Sequence, residues 1–152
     1  MIVEPLLMEI DRRWDSDFLT VAELIKEKSL GRITEFETHF DRHRPENANS
    51  GWKATPGPGS GVVYDLGTHL MDQVIKLFGF PRAVTGFIGT QRENNTSGFE
   101  DSATILLHYD GLLATVKAAV VSPETQQLRY WIRGTKGSYK KVCKGKDHGG
   151  CD

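Results

Sequence analysis

Between residues 17 and 31, apolar side chains recur at intervals of three and four: Phe18, Val21, Leu24 and Ile25. With Asp15, Ser16 or Asp17 available as N-cap and Gly31 past the end, the spacing predicts an amphipathic helix of about 13 residues. The period then changes to two. From Ile33 to Phe40, Thr34, Phe36, Thr38 and Phe40 alternate with Ile33, Glu35, Glu37 and His39, which predicts a strand with one wetter face. A short apolar run, Leu6 to Arg12, predicts another strand ahead of the helix. Four further strand-like segments follow later in the chain: Ala83 to Thr90, Ser102 to Tyr109, Leu112 to Val121 and Gln127 to Arg133. Tyr109-Asp110-Gly111-Leu112 predicts a hairpin, because Asp-Gly readily supplies the positive φ angles of a type I′ turn. Gly134-Thr135-Lys136-Gly137 predicts a second turn with a short strand after it.

Two segments between these elements carry a different message. Asp41 to Ser60 shows neither period and holds prolines, glycines, asparagines, arginines and Trp52, so it reads as a long loop of the kind that lines sites. The helix after it has an apolar stripe, Val63, Leu66, Leu70, Val74 and Leu77, beside a polar one, Asp65, His69 and Asp72, set by the i, i+4, i+7 relation. Its lead-in, Pro56-Gly57-Pro58-Gly59-Ser60-Gly61, lets backbone approach closely and offers Ser60 as N-cap. Gly67 inside the helix costs about 1 kcal/mol relative to alanine, which suggests that something approaches that side.

The order strand, helix, strand, long loop, helix and then a run of strands predicts an α+β fold: an open, largely antiparallel sheet with two helices packed on one face. The second face would carry Ile105, Leu107, Val116 and Ala118 or their alternates. Covering it by a second copy of the chain is the economical solution, so a homodimer through the open sheet face is expected.

Composition bounds the function classes. At 152 residues the chain suits one domain. Its 19 basic and 20 acidic residues give a net charge of −1, which provides no field for nucleic acid or anionic lipid. No apolar run approaches the roughly 18–20 residues of a membrane span, and Met1 to Met8 lacks a basic leader, so a cytoplasmic protein is expected. Two cysteines, Cys143 and Cys151, are too few for a disulfide framework.

The residues themselves leave the Asp65 and His69 pair open between two readings. Histidine titrates near neutrality and suits a general base, with Asp65 polarising it or holding a substrate hydroxyl. The alternative is a buried histidine capped by a neighbouring carboxylate. Metal binding with His39 or His43 matches no zinc spacing.

Several separated motifs, in order, resemble one family. They are Asp11-Arg12-Arg13-Trp14-Asp15-Ser16-Asp17-Phe18, Leu30-Gly31-Arg32-Ile33, Glu37-Thr38-His39-Phe40-Asp41-Arg42, Gly61 to Gln73, Leu77-Phe78-Gly79-Phe80-Pro81 and Ile132 to Tyr139. Together they resemble the C-terminal domain of the glucose-fructose oxidoreductase / inositol dehydrogenase / MocA family over about residues 6–141, so the α+β domain is expected to span residues 1–141. The resemblance implies an NAD(P)-dependent oxidoreductase acting on sugars, cyclitols or other polyols. It also implies a Rossmann domain joined to this α+β domain, and oligomers formed through the open sheet. His69 would inherit the role of proton acceptor from the substrate hydroxyl, and Asp65 that of orienting the substrate. Arg12, Arg42, Trp52 and Tyr64 are the candidate substrate contacts, with Arg44 beside them.

The chain departs from that pattern in instructive ways. These 152 residues contain no strand followed by Gly-x-Gly-x-x-Gly, so NAD(P) is not expected to bind this chain alone. Asp11 stands where asparagine is usual, and residues 142–152 read as a divergent, disordered tail. Three functions therefore remain open: the substrate-binding half of an oxidoreductase, completed by a Rossmann-containing partner; a cofactor-independent isomerase, lyase or cyclase reusing a dimeric pocket; and a non-catalytic oligomerisation or regulatory module.

Overall fold

The computed structural model of the chain describes residues 11–46, 57, 59–93, 95 and 97–144. Helix α1 (Ser16–Lys26) leads into strand β1 (Ile33–Asp41), and a π-helical turn (Val63–Gly67) runs directly into helix α2 (Thr68–Phe78). Then come β2 (Ala83–Gly89), β3 (Ser102–Tyr109), β4 (Leu112–Ala119), β5 (Gln126–Gly134) and β6 (Ser138–Lys144). The strands form one six-stranded sheet in the order β2-β3-β4-β1-β5-β6. Only β1 and β4 run parallel; every other neighbouring pair is antiparallel. This is the α+β arrangement with an open sheet that the order of elements predicts.

Alternation decides which residues meet the helices. Phe36, Thr38 and Phe40 of β1 stand beside Ala114, Val116 and Ala118 of β4 in the parallel register. Ile105 and Leu107 of β3 join them in the buried layer, beneath Val21 of α1 and Leu66, Leu70 and Val74 of the second helix. Leu70 and Val74 are wholly buried, each contributing about 1.5–3 kcal/mol relative to an exposed side chain. Ile105, Leu107, Val116 and Ala118 thus belong to the helix side, and the open face carries their alternates. Those alternates include Thr104, Leu106, Leu113, Thr115 and Lys117, with Glu35, Glu37 and His39 on β1 and Trp131 and Arg133 on β5.

The open face holds an ionic chain at its centre. His39 Nδ1 lies 2.8 Å from Asp41 Oδ2 and its Nε2 lies 2.8 Å from Glu37 Oε1, while Lys117 Nζ reaches Glu37 at 2.7 Å. Burial would raise the Glu37 carboxyl, but the hydrogen bonds from Lys117 and His39 and their charges outweigh it and hold Glu37 below the usual carboxylate range.

A second polar cluster sits inside the helix layer. Arg129 is 2% exposed. Its Nε donates to Asp17 (2.8 Å), Nη1 to Thr38 Oγ1 (3.2 Å) and to the His39 carbonyl (3.1 Å), and Nη2 to Gln73 Oε1 (3.3 Å). The guanidinium lies 4.2 Å from the Phe40 ring centre and 4.5 Å from that of Tyr130. Tyr130 also donates to Gln73 Oε1 at 2.9 Å, and burial foremost pushes its phenol far above the ordinary range. One residue thereby ties α1, α2, β1 and β5 together, with its charge paired and each of its three nitrogens hydrogen-bonded, as burial of a cation demands.

Three local expectations are corrected. Of the strand expected over Leu6–Arg12, residues 6–10 lie outside the described ones, while Asp11 and Arg12 belong instead to a 3-10 turn, Asp11–Trp14. Its residues are claimed by α2 rather than by the sheet: the Arg12 carbonyl accepts from Gln73 Nε2 at 2.7 Å, and Arg13 pairs with Asp72 at 2.5 Å. The β3–β4 hairpin forms with Tyr109 opposite Leu112, but only Gly111 has a positive φ, of 68°, so the turn is not type I′. The Gly111 carbonyl accepts from Arg32 Nη1 at 3.0 Å, and Asp110 pairs with Arg82 at 2.5 Å, contacts that tie down this turn. Finally, β6 continues to Lys144, beyond the boundary drawn at residue 141; Cys143 within it is disulfide-bonded. Residues 145–152 lie outside the described ones.

Candidate functional site

The site is built at the C-terminal end of β1 and the start of the second helix. Gly59 and Gly61 have φ of 87° and 95°, a left-handed backbone that only glycine adopts cheaply. At Gly61 a side chain would also run into the Glu100 carboxyl group. Glu100 uses that proximity: its Oε1 accepts from the Val63 amide at 3.1 Å, and its carbonyl accepts from the Val62 amide at 3.3 Å. The acid thus caps the helix start, a favourable place for negative charge. Glu100, distant in sequence, thus supplies a cap that the helix's own sequence does not contain.

Val63 to Gly67 form a π-helical turn and only from Thr68 does the backbone become α-helical. Wider turns of this kind are frequent at functional sites. The turn alters the spacing between Asp65 and His69 that a regular helix would set. Asp65 Oδ2 lies 3.5 Å from Arg42 Nη1. His69 Nδ1 is buried and has no hydrogen-bond partner among the described residues, and the same holds for Arg42 Nε. Asp72, the third member of the expected polar stripe, is drawn away to Arg13. Gly67 is not closely approached: an added Cβ would meet nothing nearer than Val63 Cγ1 at 3.7 Å, which is ordinary contact.

Of the other candidates, Arg12 pairs with Asp15 at 3.4 Å and stands 5.5 Å from the Phe40 ring centre. Burial lowers the proton affinity of Arg42; Asp65 opposes the effect and the fields of Arg44 and Arg12 add to it. Arg12 and Arg44 are therefore both within electrostatic reach of Arg42, which pairs with Asp65. Arg44 is held through its backbone, its amide bonded to the Val120 carbonyl at 2.7 Å and its carbonyl accepting from Arg92 Nε at 2.9 Å. Tyr64, 39% exposed, lays its ring against Gly59. Trp52 lies outside the described residues.

The structure therefore pairs Asp65 with Arg42, sets Arg12 within electrostatic reach of Arg42, carries Tyr64 and His69 on the same π- and α-helical segment as Asp65, and adds Glu100. Sequence periodicity had no access to Glu100, because its role depends on β3 arriving beside the glycine lead-in. The one hint was the glycines, which marked a close approach without naming the neighbour.

A family model described as the GFO/IDH/MocA C-terminal domain matches residues 18–140. The chain belongs to this family. It is 40% identical over 136 residues to an uncharacterized oxidoreductase of Schizosaccharomyces pombe, covering 86% of this chain and 37% of the relative. It is 39% identical over 131 residues to the scyllo-inositol 2-dehydrogenase (NADP(+)) IolW of Bacillus subtilis, covering 86% of this chain and 36% of that protein. Among solved structures, an oxidoreductase from Bacillus cereus superposes with a TM-score of 0.72 at 33% identity, over 89% of this chain and 37% of the other. The chain thus spans a little over a third of the length of these relatives.

A phosphate-binding turn needs a strand, then a glycine-rich turn, then a helix whose free amides face the ligand. Here the amide of Val63 is taken by Glu100, an anion already in that position. Among the described residues no three His, Cys, Asp or Glu side chains are grouped to hold a metal, and no helix is long and apolar enough to cross a membrane.

Proposed function

We propose that this domain is the substrate-binding half of an NAD(P)-dependent oxidoreductase acting on a cyclitol, sugar or related polyol, with His69 as general base. The observation that carries this reading is the buried Nδ1 of His69, unpartnered among the described residues, on the helix segment whose Asp65 pairs with Arg42. A buried ring nitrogen with no partner costs about 1–3 kcal/mol, and a hydroxyl-bearing ligand would recover it. The similarity to IolW supports a polyol as the ligand.

On this reading the substrate hydroxyl gives its proton to His69, Asp65 accepts a hydrogen bond from a neighbouring hydroxyl, and Arg42 holds Asp65 in its rotamer. The hydride acceptor is a nicotinamide held by a Rossmann domain outside these residues. The domain would pair with a second copy through the open sheet face, where Phe87, Leu106, Leu113 and Trp131 supply apolar area around the ionic centre; Phe87 is 64% exposed. We place the protein in the cytoplasm.

Saturation-transfer NMR with scyllo-inositol and other polyols tests the binding claim, with weaker binding expected for Asp65→Asn. In an assembly that includes a Rossmann half, His69→Gln should lower kcat with NADP+ by about 10²–10⁴-fold while changing KM little. Wild-type turnover by that variant would overturn the assignment of His69.

A further inference from the structure

The end of the sheet opposite to Asp65 and His69 carries a groove of about 700 Å³. It opens at Ile33, the first residue of β1, whereas Arg42 follows the last, so the two regions are separated by about 26 Å, the length of the strand. The volume falls within the range of roughly 300–1,000 Å³ typical of small-molecule sites.

Its lining divides into two chemistries. The floor is Ile25, Ile33, Phe78, Tyr109 and Leu112. Four of these, Ile25, Ile33, Phe78 and Tyr109, pack on the core yet stay only partly buried. The rim carries Lys28, Arg32 and Lys136 against a single acid, Asp110. That acid is engaged by Arg82 at 2.5 Å. Arg32 spends one nitrogen on the Gly111 carbonyl, and among the described residues neither Lys28 nor Lys136 makes an ion pair. The rim therefore holds excess positive charge that nothing in its own wall neutralises.

The wall is fixed in place before any ligand arrives. The Lys136 amide donates to the Leu30 carbonyl at 3.0 Å, the Thr135 amide to the Arg32 carbonyl at 3.0 Å, and the Arg32 amide to Thr135 Oγ1 at 3.1 Å. The two turns are pressed so closely that a side chain at Gly31 would stand 2.5 Å from Thr135 Oγ1 and 2.9 Å from Lys136 Cγ. A preformed site loses little entropy on binding.

We propose that this groove binds a small amphipathic anion: a molecule with one carboxylate or phosphate set among Lys28, Arg32 and Lys136, and an apolar body lying along Ile33, Phe78 and Tyr109. The Tyr109 hydroxyl is committed to the Gly79 carbonyl at 2.8 Å, and burial pushes its phenol above the ordinary range, so the floor beneath the ligand stays uncharged. Charge complementarity selects the head and the aliphatic and aromatic floor selects the tail. Neither half alone accounts for the lining.

Titrating the protein with octanoate, with 1-octanol and acetate as controls, tests the proposal by 1H–15N NMR. Octanoate should shift the amides of Ile33, Gly111 and Thr135 saturably with a Kd near about 1 mM, leaving Asp65 and His69 unmoved. Acetate should shift nothing, and octanol should bind at least several-fold more weakly. Lys28→Gln with Lys136→Gln should weaken octanoate about tenfold, whereas Lys140→Gln with Lys141→Gln, an equal loss of charge on β6, should not. Equal responses to octanol and octanoate, no saturable shift at those amides, or equal weakening by both double variants would overturn it.

Discussion

Replacing Gly61 with alanine perturbs the start of the site helix in two ways that can be separated. The backbone there has φ of 95°, and holding an L-residue in left-handed space costs about 1–2 kcal/mol. The new Cβ also collides with the Glu100 carboxylate. Glu100 must then withdraw from the Val63 amide, forfeiting a cap worth about 0.5–2 kcal/mol. Gly61→Ala should therefore destabilise the domain by about 2–4 kcal/mol, or roughly 4–16 °C in Tm for a domain of this size. Glu100→Ala alone loses only the cap. In the double variant the collision is gone and the cap has already been removed, so the two effects should be less than additive by about 1 kcal/mol. Thermal unfolding of the four proteins, followed by circular dichroism, completes the cycle. A Gly61→Ala protein within about 0.5 kcal/mol of wild type, or strictly additive losses, would refute the account of how Glu100 and the glycine lead-in shape the site.

Two further outcomes follow from the polar clusters. Arg129→Met should cost about 3–5 kcal/mol in denaturant unfolding, because it leaves the buried Asp17 carboxylate without its partner; a loss below about 1 kcal/mol would mean the cluster is not cooperative. Glu37 is held below the usual carboxylate range in the folded state, so its contribution is present above the unfolded value of about 4.3 and fades as pH falls through the folded one. Lys117→Met should accordingly lower stability by about 0.5–1 kcal/mol at pH 7 and by progressively less as pH falls through the folded-state value of Glu37; a loss that stays constant throughout acid titration would exclude the Lys117 and Glu37 pair as its source.

Period and punctuation in the chain were enough to place both helices, the strands from β1 to β6 and the α+β class. These are local matters: the 3.6- and 2-residue repeats report which side of each element is apolar, and Gly31 and Gly111 report where the chain reverses. The motif from Gly61 to Gln73 likewise brought Asp65 and His69 into view. What local pattern could not convey is partner choice. Arg129, flanked by Leu128 and Tyr130, carries no local sign of its ion pair; β5 has a bulge between those two residues, and the packed helices supply Asp17 and Gln73 to receive it. The alternation on β3 and β4 left open which face would be covered, because either set of alternates could serve as the inner one until α1 and α2 docked. Asp65 and His69 look like a pair one turn apart, but the π turn and the arrival of Arg42 from the end of β1 redirect the aspartate. In each case the deciding contact joins residues far apart in sequence, and only tertiary packing brings those charges and hydrogen-bonding groups within reach of one another.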